Sequence, residues 1–171
     1  MNLFRKEDPG QAAGGDNPYA ALRQQVLDLK PPTLGPGAAG TLPLLAGMME
    51  MGMTNGVASL VVFADGTTSM YWSTGGGIIG AGFHEPIKRP RRVFLAMFIR
   101  HLGKMGPDPT GATPGAGMIH LRAITRDSGR LLVAGPDKDF AEKRNPLWEV
   151  FYAGHALIAE MRKLPAVQKM E

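Results

Sequence analysis

Cysteine is absent from the sequence. Thiol catalysis, disulfide bonds and zinc sites built from cysteine are therefore excluded. A chain without cysteine fits a reducing compartment, although it is also compatible with export. The 171 residues of the chain suit a single domain. A domain of this size buries roughly 70% of its unfolded surface, which is enough for a core without disulfides or metal ions.

Long apolar segments are missing as well. The longest apolar run covers residues 93–99, far short of the ~20 residues that a helix needs to cross a bilayer. Residues 1–8 carry charges of both signs, and no apolar segment follows them, so the pattern of a secretory signal is not present. We therefore expect a cytoplasmic protein with no membrane partner.

The excess of positive charge is mild and local. The chain has 19 Lys and Arg residues against 15 Asp and Glu residues, a net charge of +4. Four of the basic residues lie close together, namely Lys88, Arg89, Arg91 and Arg92. The aromatic residues nearest to this cluster, Phe94 and Phe98, belong to the apolar stripe of a predicted helix. Because no recognised nucleic-acid-binding module accompanies the cluster, we do not expect a nucleic-acid partner.

Two β-hairpins are the clearest predicted elements. Residues 60–64 and 67–72 are rich in β-forming residues and flank Asp65-Gly66, a pair that favours a type I′ turn. Residues 118–125 and 130–134 form the second pair of predicted strands. In the second hairpin, apolar residues alternate with His120 and Arg122, which predicts one solvated face.

Helical patterns surround the hairpins. A short helix is predicted over about residues 17–29, because Asn17-Pro18 is a start signal and Pro31-Pro32 a stop. Residues 42–53 are apolar on most sides, which indicates a buried helix. Another helix is expected to open at Pro90. A last one follows Asn145-Pro146, and Gly154 in its apolar stripe indicates a close approach to the sheet or to another helix.

This order of elements predicts the fold class α+β: an antiparallel sheet of two β-hairpins with helices packed on it, in the order helix, hairpin, helix, hairpin, helix. We assign residues 1–40 to a flexible amino-terminal extension that contains the short helix. Residues 41–165 are expected to form one α+β domain.

Over residues 42–164 the chain resembles the dynein light chain roadblock family and, more broadly, the profilin-like folds. The resemblance lies in the element order, in strand 60–64 with its Asp65-Gly66 turn, and in strand 67–72, which leads into a loop of small residues. It implies a homodimeric scaffold without catalytic activity that regulates a small GTPase. The sequence departs from the family pattern at residues 136–143, which lack the signal of a fifth strand.

The glycine-rich loop of residues 75–82 is the most unusual segment. Gly75, Gly77 and Gly80 match the spacing G-x-G-x-x-G, but the preceding strand belongs to an antiparallel hairpin, so no dinucleotide site is predicted. Consecutive glycines can also form a backbone nest for an anion. The candidate ligand-binding or anion-binding residues are Ser73, Thr74, Gly75, Gly76, Gly77, Gly80, Lys88, Arg89, Arg91 and Arg92. The competing interpretation is a purely structural loop beside a solvated basic helix start.

No constellation of catalytic or metal-binding residues stands out. The four histidines, at positions 84, 101, 120 and 155, are far apart in the sequence, and no G-x-S-x-G motif is present. We therefore expect no catalytic residues, no metal and no cofactor. The leading hypothesis is a scaffold or interaction domain. The alternative is a binding domain, or an enzyme, that takes an anionic small molecule or nucleotide at the glycine-rich loop.

Overall fold

One antiparallel sheet organises the chain. The structure, a computed structural model, describes residues 17–31 and 42–165. The strands are β1 (Leu44–Met53), β2 (Gly56–Phe63), β3 (Thr68–Trp72), β4 (Gly77–Ile78), β5 (Gly106–Pro107), β6 (Met118–Thr125) and β7 (Arg130–Pro136). The helices are α1 (Tyr19–Leu27), α2 (Glu85–His101), α3 (Asp137–Ala141) and α4 (Trp148–Met161), with short 3-10 helices at Ala81–Phe83 and Leu102–Lys104. The strand order is β4-β3-β2-β1-β6-β7-β5. The predicted class, α+β with an antiparallel sheet, is confirmed.

The helix predicted over residues 42–53 is wrong, because this segment is strand β1. It lies at the centre of the sheet between β2 and β6, and both of its faces are covered. A strand buried on both faces is a continuous apolar run, which periodicity cannot distinguish from a buried helix. The predicted helix stop is the turn between β1 and β2, since Met53 pairs with Gly56. The first hairpin is therefore the second half of a longer antiparallel meander.

The turn between β2 and β3 is not of type I′. That turn requires positive φ at both central residues, and among these residues only Gly66, with φ of 95°, has it. The Phe63 N–H donates to the Thr67 carbonyl over 2.9 Å, and the Gly66 N–H donates to the Phe63 carbonyl over 2.9 Å. The loop thus has three residues and ends in a glycine bulge, a geometry that Asp-Gly serves equally well.

Two layers of apolar side chains cover the two faces of the sheet. Helices α2 and α4 pack on one face and build the larger core. Helix α1 packs on the other face, where Tyr19 and Val26 join Met48, Val61 and other strand residues in a second core. This helix is therefore part of the folded domain. None of the helices within residues 17–31 and 42–165 is long and apolar enough to cross a bilayer.

Gly154 allows α4 to pack closely against both β1 and α2. A methyl group at this position of α4 would lie 2.6 Å from Met49 Cε on β1 and 3.1 Å from Phe94 Cε2 on α2. Both distances are tighter than ordinary van der Waals contact. Helix α4 therefore approaches the sheet and its neighbouring helix at the same glycine.

Candidate functional site

The glycine-rich loop begins as a tight turn between β3 and β4. The Gly75 N–H donates to the Trp72 carbonyl over 3.0 Å, and the Trp72 N–H donates to the Gly76 carbonyl over 3.2 Å. This repeats the bond pattern of the β2–β3 turn, and Gly75, with φ of 110°, occupies the position that favours glycine. The turn itself thus accounts for Gly75.

Ser73, a predicted binding residue, is used to join strands. Its N–H donates to the Val57 carbonyl over 2.8 Å, and its hydroxyl oxygen accepts the Val57 N–H over 2.8 Å. The Asn17 side-chain amide, just before α1, donates to the Ser73 carbonyl. Thr74 lies exposed at the tip of the turn. Ser73 therefore connects β2, β3 and the start of α1.

The remaining glycines of the predicted site lie on the edge strand and just beyond it. Gly77 pairs with Tyr71 as part of β4, and a methyl group on it would lie 2.7 Å from the Met70 carbonyl oxygen. Gly80 has φ of 74°, and its N–H donates to Ser69 Oγ over 3.3 Å. Gly76 also has positive φ, at 82°. Because the N–H groups of Gly75 and Gly80 are engaged within the fold, a backbone anion nest would lack two of its donors.

Arg91 fastens the end of the glycine-rich loop. Its Nε donates to the Gly82 carbonyl over 3.1 Å. A methyl group on Gly66 would collide with the Arg91 guanidinium, and one on Gly82 would collide with the Gly66 carbonyl oxygen. The first 3-10 helix, the β2–β3 turn and α2 are thus in direct contact through these three residues. We call them the Gly66–Gly82–Arg91 clamp.

The basic cluster lies on α2 rather than before it, because the helix begins at Glu85 and not at the predicted Pro90. Pro86 fits the first turn, where its missing N–H costs no helical hydrogen bond, and Pro90 lies inside the helix. Lys88 Nζ lies 2.8 Å from Glu85 Oε2. This hydrogen bond and the charge of Lys88, with a further contribution from Arg92, lower the pKa of Glu85.

Arg89 and Arg92 have no hydrogen-bonded partner, although the charge of Arg92 acts on Glu85. Both lie towards solvent on the outer face of α2, and neither forms a hydrogen bond or ion pair with another residue of the described ranges. The four basic residues that the sequence groups together thus have three different roles. Arg91 belongs to the clamp, Lys88 is paired with Glu85, and two arginines are available to a partner.

Three bulky apolar side chains are exposed in the β4–α2 connection and on α2. Phe83, in the first 3-10 helix, is 68% exposed, and Ile79, just after β4, is 57% exposed. Val93, on the outer face of α2, is 42% exposed. We call Ile79, Phe83, Arg89, Arg92 and Val93 the α2 surface. Sequence reasoning missed Ile79 and Phe83, although bulky apolar residues within a glycine-rich loop were a usable signal.

A second polar cluster lies under α1 and was not predicted. Glu50 of β1 and Arg122 of β6 are both 0% exposed, so the solvated face predicted for the second hairpin is wrong at Arg122. Arg23 of α1 contacts both Glu50 oxygens, over 2.7 and 2.9 Å. Arg122 donates to Glu50 Oε2 and, over 2.6 Å, to Asp108 Oδ2. Two arginines and two carboxylates thus balance in charge; we call these four residues the buried network.

Further hydrogen bonds complete the buried network. Arg23 Nη2 donates to the Gly111 carbonyl over 2.7 Å, and Arg122 Nη2 donates to the Ala112 carbonyl over 2.9 Å. The Ser59 hydroxyl donates to Glu50 Oε1 over 3.0 Å and is 2.9 Å from the Tyr19 hydroxyl. The network therefore ties α1 and the 108–112 loop to the centre of the sheet.

The arginines set the ionisation of the buried carboxylates. Burial would raise the pKa of Glu50, but the hydrogen bonds and charges of Arg23 and Arg122 outweigh it and lower this pKa. At Asp108, burial is likewise outweighed by Arg122, and the pKa is lowered. Both carboxylates are therefore ionised at neutral pH, each held as a structural counter-ion rather than as a proton donor.

Two buried side chains lack hydrogen bonds within residues 17–31 and 42–165: Tyr71, at its hydroxyl, and His101, at both ring nitrogens. Burial is the main cause that raises the pKa of Tyr71. His101 Nε2 lies 3.7 Å from Glu149 Oε2, within ion-pair range but beyond a hydrogen bond. In the same ranges no three His, Asp or Glu side chains converge as a metal site would require.

The direction of these pKa shifts predicts sensitivity to acid. Glu50 and Asp108 have lowered pKa values in the folded chain, so the unfolded chain binds protons more tightly. Their stabilisation is fully present above about pH 5 and is lost as the pH falls through about 4 and below. His120 and His155, whose pKa values burial lowers from 6.5, add a decline that begins nearer neutrality. Urea unfolding followed by circular dichroism at stepped pH should show both declines, and an unchanged stability down to about pH 3 would contradict the assignment.

Neither the α2 surface nor the buried network places a nucleophile next to a base, with free polar groups around them that could bind a substrate. The buried network serves architecture, and the α2 surface offers apolar area and cationic groups. Comparison of the chain with protein-family models, curated proteins and solved structures finds no match.

Proposed function

We propose that this protein is a cytoplasmic interaction domain, a scaffold without catalytic activity, that binds another protein through the α2 surface. The observations that carry the proposal are the exposure of Phe83, 68%, and two arginines of α2 that form no hydrogen bond or ion pair among the described residues. Exposed apolar groups rimmed by polar ones are typical of protein interaction sites. Aromatic and arginine side chains also contribute most often to binding energy at such sites.

The backbone that carries Phe83 is fixed by contacts with the turn between β2 and β3 and with α2. The Gly66–Gly82–Arg91 clamp fixes the 3-10 helix that carries Phe83, and the Gly80 N–H is bonded to Ser69. A side chain that is already ordered loses less conformational entropy when a partner covers it. The buried network does not offer a comparable binding surface. Its arginines and carboxylates neutralise one another under α1.

The homodimer implied by the roadblock-like resemblance is part of the same proposal, with a small GTPase as one candidate partner. The outer side of β7 supports self-association. Among the described residues, β5 pairs with Leu131 and Leu132 on that side, and the Asp108 N–H donates to the Arg130 carbonyl over 3.0 Å, which leaves residues 133–136 of the edge without a strand partner. A strand edge without a partner can pair with a second chain. Sedimentation equilibrium from micromolar to millimolar concentration should show a dimer, and a strict monomer throughout would contradict this part.

A small anion is the alternative occupant of the α2 surface, because two guanidinium groups lie one helical turn apart at Arg89 and Arg92. Thermal-shift measurements with millimolar phosphate and nucleotides test it. Stabilisation that is lost in the Arg89→Ala/Arg92→Ala double variant would favour this alternative and the glycine-rich loop as a ligand site. Absence of stabilisation would leave the interaction domain as the function.

Photo-crosslinking tests the interaction directly. In the test variant, the photoreactive residue benzoylphenylalanine replaces Phe83. In the matched control it replaces Tyr152, another aromatic residue, which is 44% exposed. We expect discrete adducts from position 83 that disappear when Arg89 and Arg92 are also replaced by alanine. Identical adduct patterns from positions 83 and 152 would overturn the assignment of the α2 surface as the binding site.

A further inference from the structure

We infer that the face of the sheet under α1 is a docking site for an arginine-bearing helical segment of a partner protein, and that α1 occupies this site in the free chain. The site lies on the opposite face of the sheet from α2, so it goes beyond the function proposed for the α2 surface. The geometry around Arg23, the charge that remains without α1 and the weak hold on α1 each contribute one step.

The carboxylate that receives Arg23 is held in place by residues outside α1. Arg23 Nε donates to Glu50 Oε1 over 2.7 Å, and Arg23 Nη2 donates to Glu50 Oε2 over 2.9 Å. Glu50 also accepts hydrogen bonds from Ser59 of β2 and Arg122 of β6. Because these two contacts do not involve α1, the carboxylate stays oriented for a guanidinium group when α1 is absent.

The third acceptor of Arg23, the Gly111 carbonyl at 2.7 Å from Arg23 Nη2, is positioned in the same way. The Gly111 N–H donates to Asp108 Oδ1 over 3.1 Å, and Asp108 Oδ2 accepts from Arg122 Nε over 2.6 Å. Arg122 Nη2 also donates to the Ala112 carbonyl over 2.9 Å. The 108–112 loop is thus fastened to β6 independently of α1, and all three acceptors form a preorganised site.

The charge of the site requires a cation. Without α1, the carboxylates of Glu50 and Asp108 share one guanidinium group, that of Arg122, so the site carries an excess negative charge. A guanidinium group donates two parallel hydrogen bonds to a carboxylate and has further N–H groups for a nearby carbonyl. The ammonium group of lysine is a point charge that does not match this planar arrangement. The site therefore selects arginine.

Helix α1 is built as an element that can leave the sheet. It has nine residues, with no acidic residue in its first turn and no basic residue in its last. Isolated helices shorter than about 12–15 residues are marginal in water, so α1 depends on docking for its helical structure. Residues 28–43 connect it to β1, and a chain of this length reaches roughly 50 Å when extended. Release of α1 therefore breaks no strand pairing.

The cover that α1 provides leaves one polar group unsatisfied. Tyr71 is 5% exposed, and its hydroxyl has no hydrogen-bond partner among the described residues. Its ring packs against that of Tyr19 of α1, with centroids 5.7 Å apart. Burial and then the charge of Glu50 raise the pKa of Tyr71, so its hydroxyl lies near the buried network. A partner segment with a polar side chain at this point satisfies a group that α1 does not.

Fluorescence anisotropy with a synthetic peptide tests the inference on the full chain. The probe, a labelled arginine peptide, is an alanine-rich helix with Tyr, Arg, Val and Leu at the spacing of Tyr19, Arg23, Val26 and Leu27. The comparison peptide has Lys in place of Arg. We expect the arginine peptide to bind the unaltered chain at micromolar to millimolar concentration, since the tethered α1 competes at an effective concentration in the millimolar range. The lysine peptide should bind at least about tenfold more weakly, a difference of about 1.4 kcal/mol.

Variants of the full chain identify the site. Arg23→Ala weakens the competing α1, so it should strengthen binding of the arginine peptide at least about tenfold, or about 1.4 kcal/mol. If Arg23→Ala does not fold, Tyr19→Phe takes its place, because it removes only the hydroxyl contact with Ser59. The control Arg144→Ala removes an exposed arginine elsewhere and should bind like the unaltered chain. Absence of binding to both the unaltered chain and the α1 variant would overturn the inference, as would equal binding of the two peptides.

Hydrogen exchange and sedimentation show what the peptide displaces. When the arginine peptide binds the unaltered chain, amide exchange should become faster in α1 and stay slow in β1 and β6. Unchanged exchange in α1 would place the peptide elsewhere and overturn the inference. Dissociation of a dimer into monomers by the peptide would also overturn it, because α1 of a second copy would then be the occupant. The result is independent of crosslinking from position 83, which tests the α2 surface.

Discussion

Replacing Glu50 by glutamine is expected to lower the free energy of unfolding by about 3–5 kcal/mol. The neutral amide keeps the size of the side chain but leaves Arg23 and Arg122 with Asp108 as the one remaining carboxylate of the buried network. Arg122 is 0% exposed, so water cannot replace the lost counter-charge. Removing one partner of a buried ion pair is costly for this reason, even where the intact pair adds little net stability.

Urea unfolding followed by circular dichroism measures this change. The matched control is Glu160→Gln, because Glu160 pairs with Lys163 at the surface over 2.7 Å. Exposed pairs contribute about 0–1 kcal/mol, so the control should stay within that range. Hydrogen exchange in the Glu50→Gln variant should show faster exchange in α1 and in the 108–112 loop, the two segments that the buried network fastens. Equal stability of the two variants would contradict the network as described.

The acid response of the same variant gives an independent check. Glu50 has a lowered pKa in the folded chain, so it contributes to the loss of stability below about pH 5. Its replacement by an amide removes that contribution, and Asp108 is then the one carboxylate of the buried network that titrates, with Arg122 still beside it. The decline of stability with acid should therefore be shallower in Glu50→Gln than in the unaltered protein.

Local signals in the sequence were enough to predict the β2–β3 hairpin but not strand β1. The β2–β3 hairpin was predictable because its two strands and its turn are contiguous, and turn chemistry acts over a few residues. The type of the turn was not predictable, because Asp-Gly fits both a two-residue type I′ turn and a three-residue loop that ends in a glycine bulge. Strand β1 was missed because both of its faces are buried by helices that lie elsewhere along the chain, α1 on one face and α2 and α4 on the other.

The buried network could not be predicted for a related reason. Arg122 and Glu50 are 72 positions apart, and a charged residue in an alternating strand is normally a sign of the solvated face. Arg122 is buried because α1 and the 108–112 loop pack on the face of the sheet to which Arg122 belongs. The usable hint was Glu50 itself, a single carboxylate within an apolar run.

The binding role of the candidate site residues stays a prediction, but the positions of these residues can be compared with the structure. The basic cluster lies within α2 and not at its start, and two of its four members, Arg89 and Arg92, form no hydrogen bond or ion pair with other described residues. The sequence spacing does not predict that Arg91 belongs to the clamp or that Lys88 pairs with Glu85. Both follow from contacts in the folded chain. The backbone geometry of Gly75 is explained by the β3–β4 turn, and Gly77 is explained by close packing against β3.

Replacing Gly82 by alanine is expected to lower the free energy of unfolding by about 3 kcal/mol, the upper part of the range for overpacking. The added methyl group would overlap with the Gly66 carbonyl oxygen. A backbone atom cannot rotate away as the end of a side chain can, so the 3-10 helix or the β2–β3 turn has to move. Either movement also disturbs the Arg91 hydrogen bond to the Gly82 carbonyl.

Gly103→Ala is the matched control for this change. Gly103 lies in the second 3-10 helix, and a methyl group there meets no atom of the described residues within 4 Å. Its backbone has negative φ, so alanine should be neutral or stabilising by about 0.4–1 kcal/mol through the unfolded chain. The two Gly→Ala variants should therefore differ clearly in urea unfolding. If Gly82→Ala is as stable as the control, the clamp does not hold the 3-10 helix against the turn. Phe83 is then not presented by a fixed backbone, and the case for a preformed binding surface fails with it.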